Sequence, residues 1–340
     1  MVMFQSLTWN SKDVCDEQEI PDEYQISIYG RTKDGKSVAC KTTFTPYFFV
    51  EIPPKWDIVD VKKFISTIKY KLVKKIVTDE DERWQRLEEQ LDTQKSTLIY
   101  RKKFYGFTND EKFPFIRLVF TTKWAYTRAI NALKKDEING VRFGKRIYEA
   151  NVDPLLRFMH FNEFRSTGWL CCEKTRKCEM NTTTCDLEFE CDWHNIKPTD
   201  DETISPLVIA SFDIETYSPD DSFPTPDNDE CPIIQIATTF QRYGEEHIYK
   251  KHLITLGSCD AINDVEIERC KNEKDLILSF VNILHKENPD IITGYNIWKF
   301  DFNYIYERAK RVGISHMLTI GREYHETSKM NEKTFSSSAY

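Results

Sequence analysis

PLVIASFDIETYS, residues 206–218, decides how this sequence is read. Leu207, Val208, Ile209 and Ala210 climb out of a polar stretch, and the run stops on two carboxylates, Asp213 and Glu215. Alternate residues of a strand share a face, so Asp213 and Glu215 project together while Phe212 and Ile214 enter the opposite layer. Two acids held side by side repel, and the arrangement calls for positive charge between them. The D-x-E spacing alone says nothing, because it recurs at Asp186–Glu188, Asp200–Glu202 and Asp264–Glu266. Only the copy at 213 ends an apolar strand.

A hard divalent cation suits such a pair, since Mg²⁺ prefers carboxylate oxygens and keeps several waters. Two ions about 3.5–4 Å apart activate a water and steady a leaving oxygen in phosphodiester cleavage. A third acid is then expected from elsewhere in the fold. Downstream, IIQIATTF and HIYKKHLITL read as strands antiparallel to the first. EKDLILSFVNILHKEN has Leu276, Phe280, Ile283 and Leu284 at helical spacing, and Pro289 stops it. DIITGYN reads as a buried strand beside the first, and FDFNYIYERAKRV as a helix with Phe302, Ile305, Ala309 and Val312 in register. Three strands, a helix, a strand and a helix open a ribonuclease-H-like α/β fold. Asp301 starts the last helix and is the third acid. Its plainer role is to favour a helix N-terminus, worth a few tenths to about 1 kcal/mol.

Upstream, KPTDDETISP (197–206) is polar, carries two prolines and marks a boundary. It divides a domain over 1–205 from one over 206–340. YQISIYGRT and SVACKTTF read as short strands. Over 46–150 the order is β-α-β-β-α-β, the split βαβ pattern of ferredoxin-like and RNA-recognition-motif folds, with an acidic insertion, TDEDERWQRLEEQLD. VKKFISTIKYKLVKK, with six lysines, reads first as a solvated helix face. RKKFYGF, residues 101–107, sets Arg101, Lys102 and Lys103 beside Phe104 and Tyr105, a composition that suits unpaired bases or else core packing. Between 171 and 194 stand Cys171, Cys172, Cys178, Cys185, Cys191 and His194. The C-x₂₋₄-C pairs of structural zinc sites are missing there, and alternation in TCDLEFECDW favours buried thiols over metal.

The 340 residues, 40% of them hydrophobic, suffice for two or three ordinary cores. No apolar run is long enough to cross a membrane and no signal peptide is expected, so the ten cysteines read as reduced thiols of an intracellular protein. A net charge of −8 means that any nucleic-acid contact must use local clusters of cations.

SFDIETYS resembles the first exonuclease motif of family B DNA polymerases, and NPDIITGYNIWKFDFNYIYERA resembles the second, with its G-Y-N and F-D core. The likeness is to the delta type, including polymerases of large DNA viruses, and extends through FTPYFFVEIP to GREYHETSKMNEKTFSSSAY. It implies a 3′→5′ proofreading exonuclease beside a nucleic-acid-binding domain in a replicative polymerase. Asp213, Glu215 and Asp301 would hold two Mg²⁺ or Mn²⁺ ions. Asn296 would position the second motif's loop, and Phe300 would pack. The partners implied are a frayed single-stranded 3′ end, template, the remainder of the polymerase and a sliding clamp engaged outside this stretch. The setting implied is a nucleus or a viral replication site. The third motif, Y-x-x-x-D, is not found after Asp301, nor are the palm motifs D-x-x-S-L-Y-P and Y-G-D-T-D-S. The chain therefore reads as an amino-terminal fragment or one piece of a split polymerase, with its exonuclease incomplete.

Two rival readings follow. In one, the chain is a non-catalytic nucleic-acid-binding or structural subunit with vestigial acids. In the other it is a standalone nuclease, which needs a fourth acid such as Asp290 or Glu307.

Overall fold

The computed structural model describes residues 1–15, 20–73, 82–104, 106–220 and 222–331, without the side chains of 82–84. The amino-terminal part begins with three long antiparallel strands, Val2–Cys15 (β1), Pro21–Arg31 (β2) and Ser37–Thr43 (β3). Sequence alternation finds the second and third; the first, half polar along its length, is not found that way. Gly30 is required where β2 crosses β1, because a Cβ there would stand 2.0 Å from the carbonyl oxygen of Gln5.

Next come Tyr47–Glu51 (β4), Ile58–Val73 (α1), Glu82–Glu89 (α2), Thr97–Arg101 (β5), Phe113–Val119 (β6) and Lys123–Lys135 (α3). A two-residue hairpin, Glu137–Ile138 (β7) and Val141–Arg142 (β8), leads to Ile147–Tyr148 (β9). The sheet runs β5-β6-β4-β9 with every neighbouring pair antiparallel. Phe64, Ile68 and Leu72 of α1 and Ala129, Ile130 and Leu133 of α3 are buried in one core with Phe48, Val50, Ile116 and Leu118 of the sheet. Thr122 caps α3 by accepting the Ala125 N–H at 3.1 Å.

Pro154–Phe161 (α4), Trp169–Cys172 (β10), Arg176–Lys177 (β11), Leu187–Glu190 (β12) and Ile196–Pro198 (β13) return the chain to the first sheet, whose order is β11-β12-β3-β2-β1-β10-β13. The boundary segment is extended and pinned to that sheet: Asp201 pairs with Lys33, and the Ser205 N–H and hydroxyl both donate to Gln5 Oε1.

The carboxy-terminal part is one sheet with two helices. Val208–Thr216 (β14), Ile233–Arg242 (β15) and Ile248–Leu256 (β16) are antiparallel, and Glu266–Cys270 (β17) lies parallel to β16. Glu273–Glu287 (α5) follows, capped by Asn272. Ile291–Thr293 (β18) then pairs in parallel with β14, and Asp301–Arg311 (α6) leads away. The order is β17-β16-β15-β14-β18. Val208, Ala210, Phe212 and Ile214 face α5 and α6, while Ser211, Asp213 and Glu215 lie exposed on the other face. β18 is not the buried strand that its composition suggests. It is a short edge with Ile291 exposed, because no strand among the described residues covers its outer side.

Candidate active site

β14 delivers Asp213 and Glu215 to the open face, as alternation requires. The parallel register Ile209↔Ile291 sends β18 toward the same end of the sheet, so the turn after it arrives beside Phe212. Gly294 permits that approach: a Cβ there would stand 2.5 Å from the Phe212 carbonyl oxygen. Asn296 takes the left-handed conformation (φ 54°), and its carbonyl accepts the N–H groups of Lys299 and Phe300 to start α6. Its side chain is exposed, so its backbone does the positioning.

Asp301 is 1% exposed. Its Oδ1 accepts the Ile214 N–H at 3.1 Å, and its carboxyl meets that of Asp213. Burial, opposed by that backbone bond and reinforced by the Asp213 charge, pushes the Asp301 carboxyl above the usual carboxylate range. Among the described residues no cation pairs with Asp213, Glu215 or Asp301. The expected trio is not closed, however. Among the described residues no three His, Cys, Asp or Glu side chains form a group that could hold a metal ion. The donor chemistry, carboxylate oxygen alone, fits Mg²⁺ or Mn²⁺.

The segments that follow β14 and β18 carry exposed rings. Tyr295 and Trp298 are 93% and 71% exposed, and Phe223 is 76% exposed with its ring edge-on to Phe300 at 5.6 Å. Phe300 packs against Tyr304 as well, the packing role expected of it.

Asp290 and Glu307 are not further ligands. Asp290 lies at the far end of β18, where its Oδ2 accepts the Val208 N–H and its carboxylate is bound by Arg31 and Arg322. Arg31 and Ser37 belong to β2 and β3, and with Asn288 they make this a buried polar junction between the first sheet and the second. Glu307 pairs with Lys310 on the surface of α6. Sequence periodicity missed the junction, because its charges sit singly at element ends.

The basic loop is only partly available. Lys103 pairs with Glu51 and lies 4.0 Å from the Phe113 ring centroid, so that cation is occupied. Lys102 pairs with Asp110, while Arg101 and Phe104 are exposed. Tyr105 lies outside the described residues, as do Lys74 and Lys75 of the lysine-rich run. The cysteine segment does not converge on His194, which is exposed, bonded to Asp192 and stacked on Trp193. Cys172 and Cys191 pack with Cys40 in the first core, and Cys185 packs beside Tyr29 and Ala39.

Residues 145–340 match the model of the DNA polymerase family B exonuclease domain. A DNA polymerase of Acanthamoeba polyphaga mimivirus is 35% identical over 91% of the chain, and one of Paramecium bursaria Chlorella virus NY2A 32% identical over 88%. The DNA polymerase delta catalytic subunit of Glycine max is 30% identical over 93%. The chain spans only 18%, 30% and 29% of those three proteins. The solved family B DNA polymerase of the archaeon Pyrobaculum calidifontis superposes on 92% of the chain, using 33% of its own, with a TM-score of 0.58 at 19% identity, a likeness of fold.

Proposed function

The chain belongs to the family B DNA polymerases, and from that membership we propose that it serves proofreading in a replicative, delta-like enzyme. Residues 206–340 would carry the first two motifs of a ribonuclease-H-like 3′→5′ exonuclease. Residues 1–205, with a ferredoxin-like core over 46–150, would hold nucleic acid beside it. The observation that carries the reading is Asp301, a buried carboxylate set against a second carboxylate with no cation beside either among the described residues. Uncompensated buried charge destabilises a fold, so its presence speaks for a ligand that supplies the missing positive charge.

Asp213, Glu215 and Asp301 would hold two Mg²⁺ or Mn²⁺ ions. Such ions, when bound, lower the pKa of a water and neutralise charge on a leaving oxygen. The chain's own residues do the remainder. The Ile214 N–H fixes the Asp301 carboxyl, Gly294 lets the second motif reach the strand, and the open sheet face admits a substrate. Tyr295, Trp298 and Phe223 offer rings on which the unpaired bases of a frayed 3′ end stack. Nucleotide incorporation, template contact and engagement of a sliding clamp would belong to the longer polymerase, working in a nucleus or at a viral replication site.

The test is degradation of single-stranded DNA by the longest natural polypeptide that carries this chain. Asp213→Ala should abolish it with folding intact; unchanged degradation would remove the assignment. The rival reading, a binding module with vestigial acids, draws on the fact that no three-carboxylate group stands together among the described residues. It predicts that oligonucleotide binding survives while no divalent cation stimulates cleavage.

A further inference from the structure

One face of α6 carries more than Asp301. Tyr304 and Arg308 follow it at helical spacing, and all three are buried, outside the face of Phe302, Ile305, Ala309 and Val312 expected to be apolar. Each grips a different point of the segment that returns from β14 to β15. The Tyr304 hydroxyl donates to the Cys231 carbonyl at 2.7 Å. Arg308 Nη1 donates to the carbonyls of Pro226 at 3.2 Å and Asn228 at 2.8 Å. Its Nε and Nη2 bind the two oxygens of Glu273 at 2.8 and 2.6 Å. Glu273 also accepts the Ile233 N–H at 2.8 Å, where β15 begins. Arg311, a turn further on, pairs with Asp229.

Residues 226–231 are therefore stapled to the same helix that begins with Asp301. A buried guanidinium satisfied by one carboxylate and two carbonyls has a rigid fork geometry that lysine does not reproduce. Three residues before the first of these staples stands Phe223, a large ring left 76% exposed with its edge to Phe300, the residue before Asp301.

We propose that Tyr304 and Arg308 are positioning residues that hold segment 226–231, and through it Phe223 beside Phe300, so that the candidate site accepts an unpaired 3′ end in preference to a paired one. The inference rests on the exonuclease reading above. An unpaired terminal base can turn out of the helical stack onto the Phe223 ring, whereas a paired one is held within the stack. If the segment drifts, the terminal base loses its stacking partner and the discrimination falls. The acids are untouched, because Asp301 keeps its own bond to the Ile214 N–H.

The test uses Tyr304→Phe and Arg308→Lys in the longest natural polypeptide carrying this chain, with Asp213→Ala alongside. Arg308→Lys keeps a charge facing Glu273 but not the fork to it together with the bonds from Nη1 to the Pro226 and Asn228 carbonyls. In both variants KM for a single-stranded 3′ end should rise about tenfold while kcat changes by about twofold or less. The preference for unpaired over paired ends should shrink by a similar factor. Binding of fluorescein-labelled oligothymidylate in EDTA should weaken in step, and a glutamate-specific endoprotease should cut after the exposed Glu230 faster. Asp213→Ala should lose cleavage yet keep wild-type oligonucleotide affinity and protease resistance.

The inference is overturned if folded variants lose kcat at constant KM and constant affinity in EDTA, or show no change in any readout. If both single variants unfold, the charge-free pair Glu273→Gln with Arg308→Met is measured in the same way, and the same outcomes support or overturn the inference. Unchanged cleavage by Asp213→Ala would instead strike the exonuclease reading itself, a result the EDTA binding and proteolysis data do not depend on.

Discussion

Asp290 and Asp301 flank the same edge strand, and both side chains are buried, yet their surroundings are opposite. Asp290 is 0% exposed and held by two guanidinium groups and the Val208 N–H. Asp301 is 1% exposed, accepts the Ile214 N–H and faces another acid. One charge is balanced within the protein and the other is not. The balanced aspartate ties two sheets together, so its work is finished when the chain folds. The unbalanced one costs the fold free energy, and under the proposed function that cost is met by an arriving cation.

The contrast can be broken most sharply by activity. In the longest natural polypeptide carrying this chain, Asp301→Asn should lower single-stranded DNA degradation by about a thousandfold or more, a loss expected for a group acting in the transition state. Retained cleavage would make Asp301 as structural as Asp290.

Stability should respond in the reverse sense. Asp290→Ala leaves Arg31 and Arg322 buried without their partner and should cost about 3–5 kcal/mol in chemical denaturation. A loss under about 1 kcal/mol would mean that the two guanidinium groups find water.

Asp301→Asn should be stabilising at neutral pH, by on the order of 1 kcal/mol. The sign follows from the raised folded-state pKa of Asp301, caused first by burial. The protonated acid is favoured in the fold, so the wild type has its full stability below the ordinary carboxylate range and loses some as pH rises through the elevated value. The advantage of the variant should therefore vanish in acid. Thermal melts of both proteins from about pH 4 to about pH 8 measure it, and a constant offset would contradict the assignment. Millimolar Mg²⁺ should raise the wild-type melting temperature at neutral pH and leave the variant unmoved.

The smallest effect concerns the cations of the amino-terminal loop. Arg101→Ala should weaken oligonucleotide binding and reduce its salt slope by about one. Lys103→Ala, whose charge is committed to Glu51, should leave the slope alone and cost less than about 1 kcal/mol of stability.

Much of this is legible in the chain itself. The D-x-E strand and the helix headed by Asp301 come from apolar periodicity, because each buries apolar residues in one core, and the strand that returns beside the first is legible from its short apolar run. The pairing of Asp213 with Asp301 follows from topology once those elements are placed. What periodicity does not show is polar burial. Arg308 and Glu273 look like surface residues in sequence, and only the fold brings their charges together out of water. Asp290 reads as a spare ligand for the same reason, since its partner Arg31 lies in another sheet. The buried character expected of DIITGYN fails because an apolar run does not tell an inner strand from an edge.

That edge has a practical side. β18 is three residues long and ends the sheet with Ile291 exposed and one row of backbone groups unpaired among the described residues. Such a margin is a template on which a second molecule can add its own β-structure. Preparations of this chain should therefore show light scattering that grows with concentration, and a lysine at position 291 or 293 is the simplest remedy for anyone who needs it monodisperse.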